Sequence, residues 1–195
     1  MLDKTKILKL IKNIQGYELS LKHDSLEKNK KNSNKPFQRF EFLGDRVLGL
    51  VISEYLIENY ENNSLDEISR RFIHLVNTNT LAKIFRYHDL NKIFKHKLDP
   101  KSDKNSVYAD ALESLIGFIY LKKKLEFTKS LILELWNKEL NTLPQKDPKT
   151  FIQEYSQRKI KSYRHMSLKM KRTKHKPKFR VSLRIEDLCV EVRHI

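Results

Sequence analysis

The sequence contains a single cysteine and no long apolar run, and both shortages exclude whole classes of protein. With Cys189 alone, neither an internal disulfide nor a cysteine-based zinc site can form, so we expect a reducing, cytoplasmic compartment. No stretch approaches the roughly 18 consecutive apolar residues that a membrane-spanning helix needs. The N-terminal MLDKTKILKLIKNIQGYELSL is amphipathic and lysine-rich, which does not fit a signal peptide.

Acidic residues are also scarce relative to basic ones. The chain has 40 Lys and Arg against 24 Asp and Glu, which gives a formal net charge of +16 and a pI near 9.8. Such a balance favours a polyanionic partner, either a nucleic acid or an anionic membrane surface. The apolar fraction, 39%, comes in periodic clusters, so we expect a folded protein.

The few prolines divide the chain. Pro36, Pro100, Pro144 and Pro148 lie in polar loops, and no two-residue alternation of polar and apolar residues appears before Pro144. We therefore predict an all-helical first domain, residues 1–145. Its helical periodicity covers four segments, residues 40–60, 65–86 (one helix or two), 107–121 and 127–140.

The residues after Pro148 have a different pattern. KTFIQEYSQRK predicts a short amphipathic helix, and YRHMSLKMKR, KFRVSLRIED and LCVEVRHI alternate as strands do. This order predicts a small α+β module at residues 146–195. From residue 147 onward the chain has 14 Lys and Arg against 5 Asp and Glu, so the module is the more basic part per residue.

Glycine is rare, yet it occurs inside predicted helices. Of four glycines, Gly44, Gly49 and Gly117 fall within two helical segments, where each costs about 1 kcal/mol relative to alanine. A helix that keeps glycine in its interior usually needs a close backbone approach. We therefore expect the two helices to cross tightly.

The same two segments carry paired carboxylates. Glu41 and Asp45 are four residues apart, and Asp110 and Glu113 are three apart, so each pair shares one face of its helix. Each pair repels itself, and a hard cation such as Mg²⁺ relieves that repulsion while keeping waters for a substrate phosphate. An acidic pair on a helix is also commonly just a solvated face, and the residues alone leave both interpretations open.

Two long motifs resemble those of the ribonuclease III family. FQRFEFLGDRVLGLVISEYL is similar to the family's signature helix, N-E-R-L-E-F-L-G-D-x-V-L, and YADALESLIGFIYL is similar to A-D-x-x-E-A-L-I-G-A-I-Y-L. SLKHDS resembles the family's S-L-T-H-x-S, and DPKTFIQEYSQ resembles the start of a double-stranded-RNA-binding domain. The order and separation of the motifs fit, and the resemblance covers essentially the whole chain.

The resemblance implies a homodimeric, Mg²⁺-dependent endonuclease that cuts double-stranded RNA and leaves 5′-phosphates and short 3′ overhangs; Mn²⁺ can replace Mg²⁺. Glu41, Asp45, Asp110 and Glu113 match the family's catalytic carboxylates, and Glu41, Asp110 and Glu113 are the expected metal ligands. The dimer is expected to form through the helix at residues 40–52. The natural substrate, whether ribosomal precursor or messenger RNA, is not defined by the sequence.

Further positions are expected to have accessory roles. Gln38 stands where the family has glutamate, which suggests tuned rather than abolished activity, and Glu67 in LDEISRR is the nearest match to an acidic segment facing the partner's site. Gln153, Glu154 and His175 match positions that contact the RNA minor groove in the family. The alternative for these three residues is an ordinary solvated surface.

One expected element is missing from the resemblance. The family's RNA-binding module ends with a helix opened by a G-x-S-K-K type sequence, whereas this sequence stops at Ile195 in the predicted third strand, so we expect an incomplete module. A catalytically inactive duplex-RNA binder or ribosome-associated protein with the same fold is the main alternative. Four retained acids argue against it. A protein of anionic membrane surfaces is the third possibility.

Overall fold

A computed structural model describes residues 3–26, 35–97, 99, 104–142, 164–171, 178–185 and 188–194. The chain divides into two compact units, Met1–Pro144 and Gln145–Ile195.

The first unit is helical, as predicted. Its described part contains five α-helices and no β-strand. They are α1 (Lys4–Lys12), α2 (Pro36–Asn59), α3 (Leu65–Val76), α4 (Thr78–Tyr87) and α5 (Asn105–Leu140), with short 3₁₀ turns between some of them. None of the helices in the described ranges is both long enough and apolar enough to cross a membrane.

Local sequence explains where the helices begin. Pro36 occupies the first turn of α2, where its missing N–H costs nothing. The sequence left open whether residues 65–86 form one helix or two, and the structure shows two, because Asn77 interrupts the run. The Asn77 side chain accepts a hydrogen bond from the Thr80 N–H at 2.9 Å and thereby caps α4.

The long α5 contains a break. Lys124 has φ 63° and ψ −174°, a conformation that is essentially restricted to glycine. The break falls between the two predicted helices, residues 107–121 and 127–140, so the sequence identified both segments and the structure joins them across a kink.

The core of the first unit forms mainly where α2 packs on α5. Buried residues at helical spacing line both elements, among them Leu48 and Ile52 on α2 and Leu112 and Ile119 on α5. Trp136, the only tryptophan, is fully buried, and its Nε1–H donates to the Leu75 carbonyl at 2.9 Å. This hydrogen bond satisfies the indole's polar atom inside the core.

The described residues of the second unit form three antiparallel strands in the order β1-β2-β3. They are β1 (Arg164–Lys171), β2 (Lys178–Ile185) and β3 (Leu188–His194), and they lie where the alternating pattern predicts strands. The register aligns Leu168 with Val181, and Val181 with Val192. The predicted helix of this module, with Gln153 and Glu154, and the loop residue His175 lie outside the described residues.

Candidate active site

The site is built where α2 and α5 cross in backbone contact. A Cβ atom added to Gly44 would lie 1.8 Å from the Glu113 carbonyl oxygen, and one added to Gly117 would lie 2.0 Å from the Phe40 carbonyl oxygen. No side chain fits at either position, so these two glycines set the distance between the helices. The predicted tight crossing is confirmed. Gly49 has no such neighbour, since a Cβ there would meet only the Phe72 ring at 3.8 Å.

The crossing brings three carboxylates together. Glu41 comes from α2, and Asp110 and Glu113 come from α5. One oxygen from each lies within 4.8 Å of the other two, and all three residues are partly buried. Because carboxylate oxygens are the ligands that Mg²⁺ and Mn²⁺ prefer, this group fits a hard divalent cation.

The electrostatics of the cluster support the same interpretation. Burial, followed by the charges of Asp110 and Glu41, raises the pKa of Glu113 to about 7, and Arg46 opposes that rise. Burial and then Asp110 also raise the pKa of Glu41. Burial likewise raises the pKa of Asp110, against an opposing effect of His23. Three acids that resist ionising together gain most from a bound cation, which favours their charged forms.

The fourth predicted acid lies apart from this group. The Asp45 carboxylate, about half exposed, pairs with the guanidinium of its neighbour Arg46. Arg46 in turn lies 5.0 Å from the centre of the Phe42 ring. The structure therefore gathers three of the four predicted carboxylates, with Asp45 one helical turn beyond Glu41.

The two accessory positions fall in different places. Gln38 is exposed and lines the cleft beside the acids. Glu67 does not join the cluster within the protomer; it closes a capping box at the start of α3, where its Oε2 accepts from the Ser64 N–H at 3.0 Å and the Ser64 Oγ accepts from the Glu67 N–H at 3.3 Å. The capping box therefore gives Glu67 a structural role at the start of α3.

Two of the acids open onto a cleft of about 620 Å³, lined by His23, Asp24, Ser25, Lys35, Phe37, Gln38, Glu41 and Asp110. Three of these residues belong to the segment Leu21–Ser25. Its backbone is tied to a distant segment, since the His23 N–H donates to the Lys95 carbonyl and the Lys95 N–H to the Leu21 carbonyl, both at 2.9 Å. His23 is adjacent to neither acid pair along the chain, so the spacing of the acids did not identify it. The SLKHDS motif was the signal that could have found it.

Comparison with known proteins agrees with the fold. The family model described as Ribonuclease III domain matches residues 38–124. Ribonuclease 3 of Pelagibacter ubique (strain HTCC1062) is 37% identical over 86% of this chain and 76% of that protein. Ribonuclease 3 of Rhodobacter capsulatus is 33% identical over 84% and 74%, respectively.

Solved structures show the same architecture. The nuclease domain of ribonuclease III from Campylobacter jejuni superposes with a TM-score of 0.59 at 30% identity, covering 72% of this chain and all of that one. That structure is described as flexible in a region involved in dimer formation. Dicer from Pichia stipitis shares the fold, with a TM-score of 0.51 at 20% identity over 94% of this chain and 86% of that one.

Helices that cross at two glycines and hold three carboxylates over a cleft, in a chain with these relatives, define an endoribonuclease. The chain belongs to the ribonuclease III family.

Proposed function

We propose that the protein hydrolyses phosphodiester bonds of double-stranded RNA in the cytoplasm, with Mg²⁺ or Mn²⁺ as cofactor. The convergence of Glu41, Asp110 and Glu113 carries the proposal, because a protein that only binds RNA gains nothing from carboxylates that repel one another and the substrate. The formal net charge of +16 shows that basic residues predominate outside this acidic cluster, which supports a polyanionic substrate.

Each residue of the site has a definite task in this reaction. Glu41, Asp110 and Glu113 would hold the cation, and a bound cation would supply a water of lowered pKa and neutralise charge on the phosphate. Asp45 leaves Arg46 and accepts a hydrogen bond from the attacking water. The water loses a proton to solvent as its oxygen bonds to phosphorus, the bond from phosphorus to the 3′ oxygen breaks, and the 3′ oxygen takes up a proton. The phosphate therefore stays on the 5′ end of the downstream fragment.

The mouth of the cleft provides groups for the RNA backbone. Lys35 and Gln38 line it together with the acids, and an adjoining cavity of about 330 Å³ is lined by Lys35, Gln38, Arg39 and Phe42. An ammonium, an amide and a guanidinium are all donors to phosphate oxygens. Gln38 gives this position a neutral donor where the family has a carboxylate, and we expect it to tune the rate rather than abolish cleavage. Contacts from Gln153, Glu154 and His175 remain predictions.

The proposal includes a two-fold homodimer. Phe42, Leu50 and Ile57 on α2 are 66%, 56% and 58% exposed and recur at about two helical turns along one side. Leu65 and Ile73 on α3 add to the exposed apolar surface at 77% and 63%. Soluble monomers seldom expose large contiguous apolar patches, so residues aligned in this way favour an interface. A two-fold axis supplies two sites, and their separation would produce staggered cuts with 3′ overhangs.

The test is cleavage of an end-labelled RNA duplex with and without Mg²⁺, followed by mapping of the ends. We expect cleavage only with the cation, 5′-phosphate products, and no cutting of the single strands. Glu113→Gln and Asp45→Asn should each lower the rate by at least about 100-fold while leaving duplex binding intact. Retained binding with no cleavage by the wild-type protein would instead favour the non-catalytic RNA binder. Wild-type cleavage by either variant would refute the assignment of that acid.

A further inference from the structure

His23 has a fixed tautomer and one unused donor. Its Nδ1 accepts a hydrogen bond from the Ser25 N–H at 3.1 Å, so the neutral ring carries its proton on Nε2. Among the hydrogen bonds of the described residues, the His23 side chain takes part in no other. A cleft-lining ring with one free N–H is available to a ligand.

The ring is held in place by aromatic contacts. Phe37, the second residue of α2, meets it edge-on with ring centres 5.3 Å apart, and Phe94 does so at 6.3 Å. Both phenylalanines are buried, which leaves the imidazole little freedom to turn. The backbone ties from His23 and Leu21 to Lys95 anchor the same segment. A donor fixed in this way loses little conformational entropy when it binds.

His23 lines the cleft together with two of the acids without bonding to them. It lines the same space as Glu41 and Asp110 and acts to lower the pKa of Asp110, yet no hydrogen bond joins the His23 and Asp110 side chains. The space between them therefore separates the metal-ligand wall from a hydrogen-bond donor. A group that fills it and meets both walls must offer oxygens to a cation on one side and to an N–H on the other. A phosphodiester does so.

We propose that the Nε2–H of His23 donates a hydrogen bond to a non-bridging oxygen of the scissile phosphate. The inference rests on the proposed phosphodiester hydrolysis and adds a substrate contact that the four acids cannot make. Negative charge on that oxygen increases as water adds, so the bond is stronger in the transition state than in the bound substrate. His23 acts as a donor throughout and transfers no proton.

Two amide substitutions of His23 distinguish the roles of its two ring nitrogens. Gln places its side-chain nitrogen near the position of Nε2, so His23→Gln keeps the donor. Asn reaches only as far as Nδ1, so His23→Asn keeps an acceptor for Ser25 and loses the donor. We expect His23→Asn to lower kcat for duplex cleavage by about 10- to 100-fold with KM changed less than threefold, and His23→Gln to recover most of the loss.

His96→Asn is the matched control. His96 also contacts the Phe94 ring, with centres 5.2 Å apart, but does not line the cleft, so we expect its kcat to remain that of the wild type. The rise in Tm on adding Mg²⁺ should be the same in all three variants, because none of the changed residues holds the cation. A kcat of His23→Asn within twofold of the wild type would overturn the proposal.

Equal losses in His23→Asn and His23→Gln would also overturn it, since they would indicate a structural role. If the wild-type protein cleaves no duplex, the proposed hydrolysis fails instead. The contact to a scissile phosphate then falls with it, whereas a cleaving wild type with an unimpaired His23→Asn overturns the contact alone.

Discussion

At the scale of single residues, Glu113 links the site to the stability of the fold. Its pKa is raised from 4.5 to about 7, mainly by burial and then by Asp110 and Glu41. Between pH 4.5 and about 7, Glu113 is therefore protonated in the folded protein but ionised in the unfolded chain. The stabilising contribution of this proton is fully present below pH 4.5 and is lost as the pH rises through about 7.

The resulting prediction concerns the metal-free protein. In EDTA, we expect the difference in Tm between Glu113→Gln and the wild type to grow in favour of the variant as the pH rises from 5 to about 8. The glutamine keeps the shape of the side chain without the charge. Mg²⁺ at pH 8 should reverse the order, because only the wild type retains three ligands. Melting curves at several pH values check this, and a difference that does not change with pH would contradict it.

At the scale of elements, the two glycines decide how closely α2 and α5 approach. We expect Gly44→Ala and Gly117→Ala each to destabilise the protein by about 2 kcal/mol or more, because the new methyl group would overlap a backbone carbonyl. Cleavage should fall as well, since forcing the helices apart separates Glu41 from Glu113.

Gly49→Ala is the control on the same helix. Its methyl group would be at an ordinary contact distance, 3.8 Å from Phe72, and alanine gains about 0.5–1 kcal/mol in a helix interior. Urea unfolding measures all three variants. Equal stabilities for Gly44→Ala and Gly49→Ala would show that the crossing is looser than described.

The break in α5 leads to a different prediction. Lys124 has a glycine-like backbone conformation, so Lys124→Gly should raise the free energy of unfolding by about 1 kcal/mol by removing that strain. Lys123→Gly, one residue earlier in helical conformation, should lower it by about as much. Chemical denaturation of the two variants measures both effects. Destabilisation by both would mean that residue 124 is helical in solution.

At the scale of the whole molecule, the exposed apolar residues of α2 and α3 predict association. Leu50→Lys should shift the protein to a monomer, because a charge there cannot be buried without a partner. Leu121→Lys, which changes an exposed leucine on α5, should leave the assembly intact. Sedimentation of the two variants at a protein concentration of tens of micromolar, about the upper range at which an obligate dimer need be tested, distinguishes a monomer from a dimer. A wild-type monomer under those conditions would count against the dimer.

The sequence predicted the elements of this molecule better than its contacts. Apolar periodicity identified α2 to α5, and the spacing of Asp110 and Glu113 put both on one face of their helix, because both signals are local. The pairing of Asp45 with Arg46 depends on a rotamer, and no pattern encodes it. His23 lines the same cleft as Glu41 and Asp110 in a segment whose backbone is hydrogen-bonded to Lys95, far along the chain, which is a tertiary effect.

The buried Trp136 makes the first unit optically distinct. It is the only tryptophan in the chain and lies within Met1–Pro144, so tryptophan fluorescence reports the solvent exposure of that unit alone. Far-ultraviolet circular dichroism, in contrast, sums over the peptide groups of both units. Unfolding curves recorded by the two methods coincide only if the units melt as one cooperative body. The fluorescence of Trp136 thus monitors, without any added label, the unfolding of the unit that holds the carboxylates.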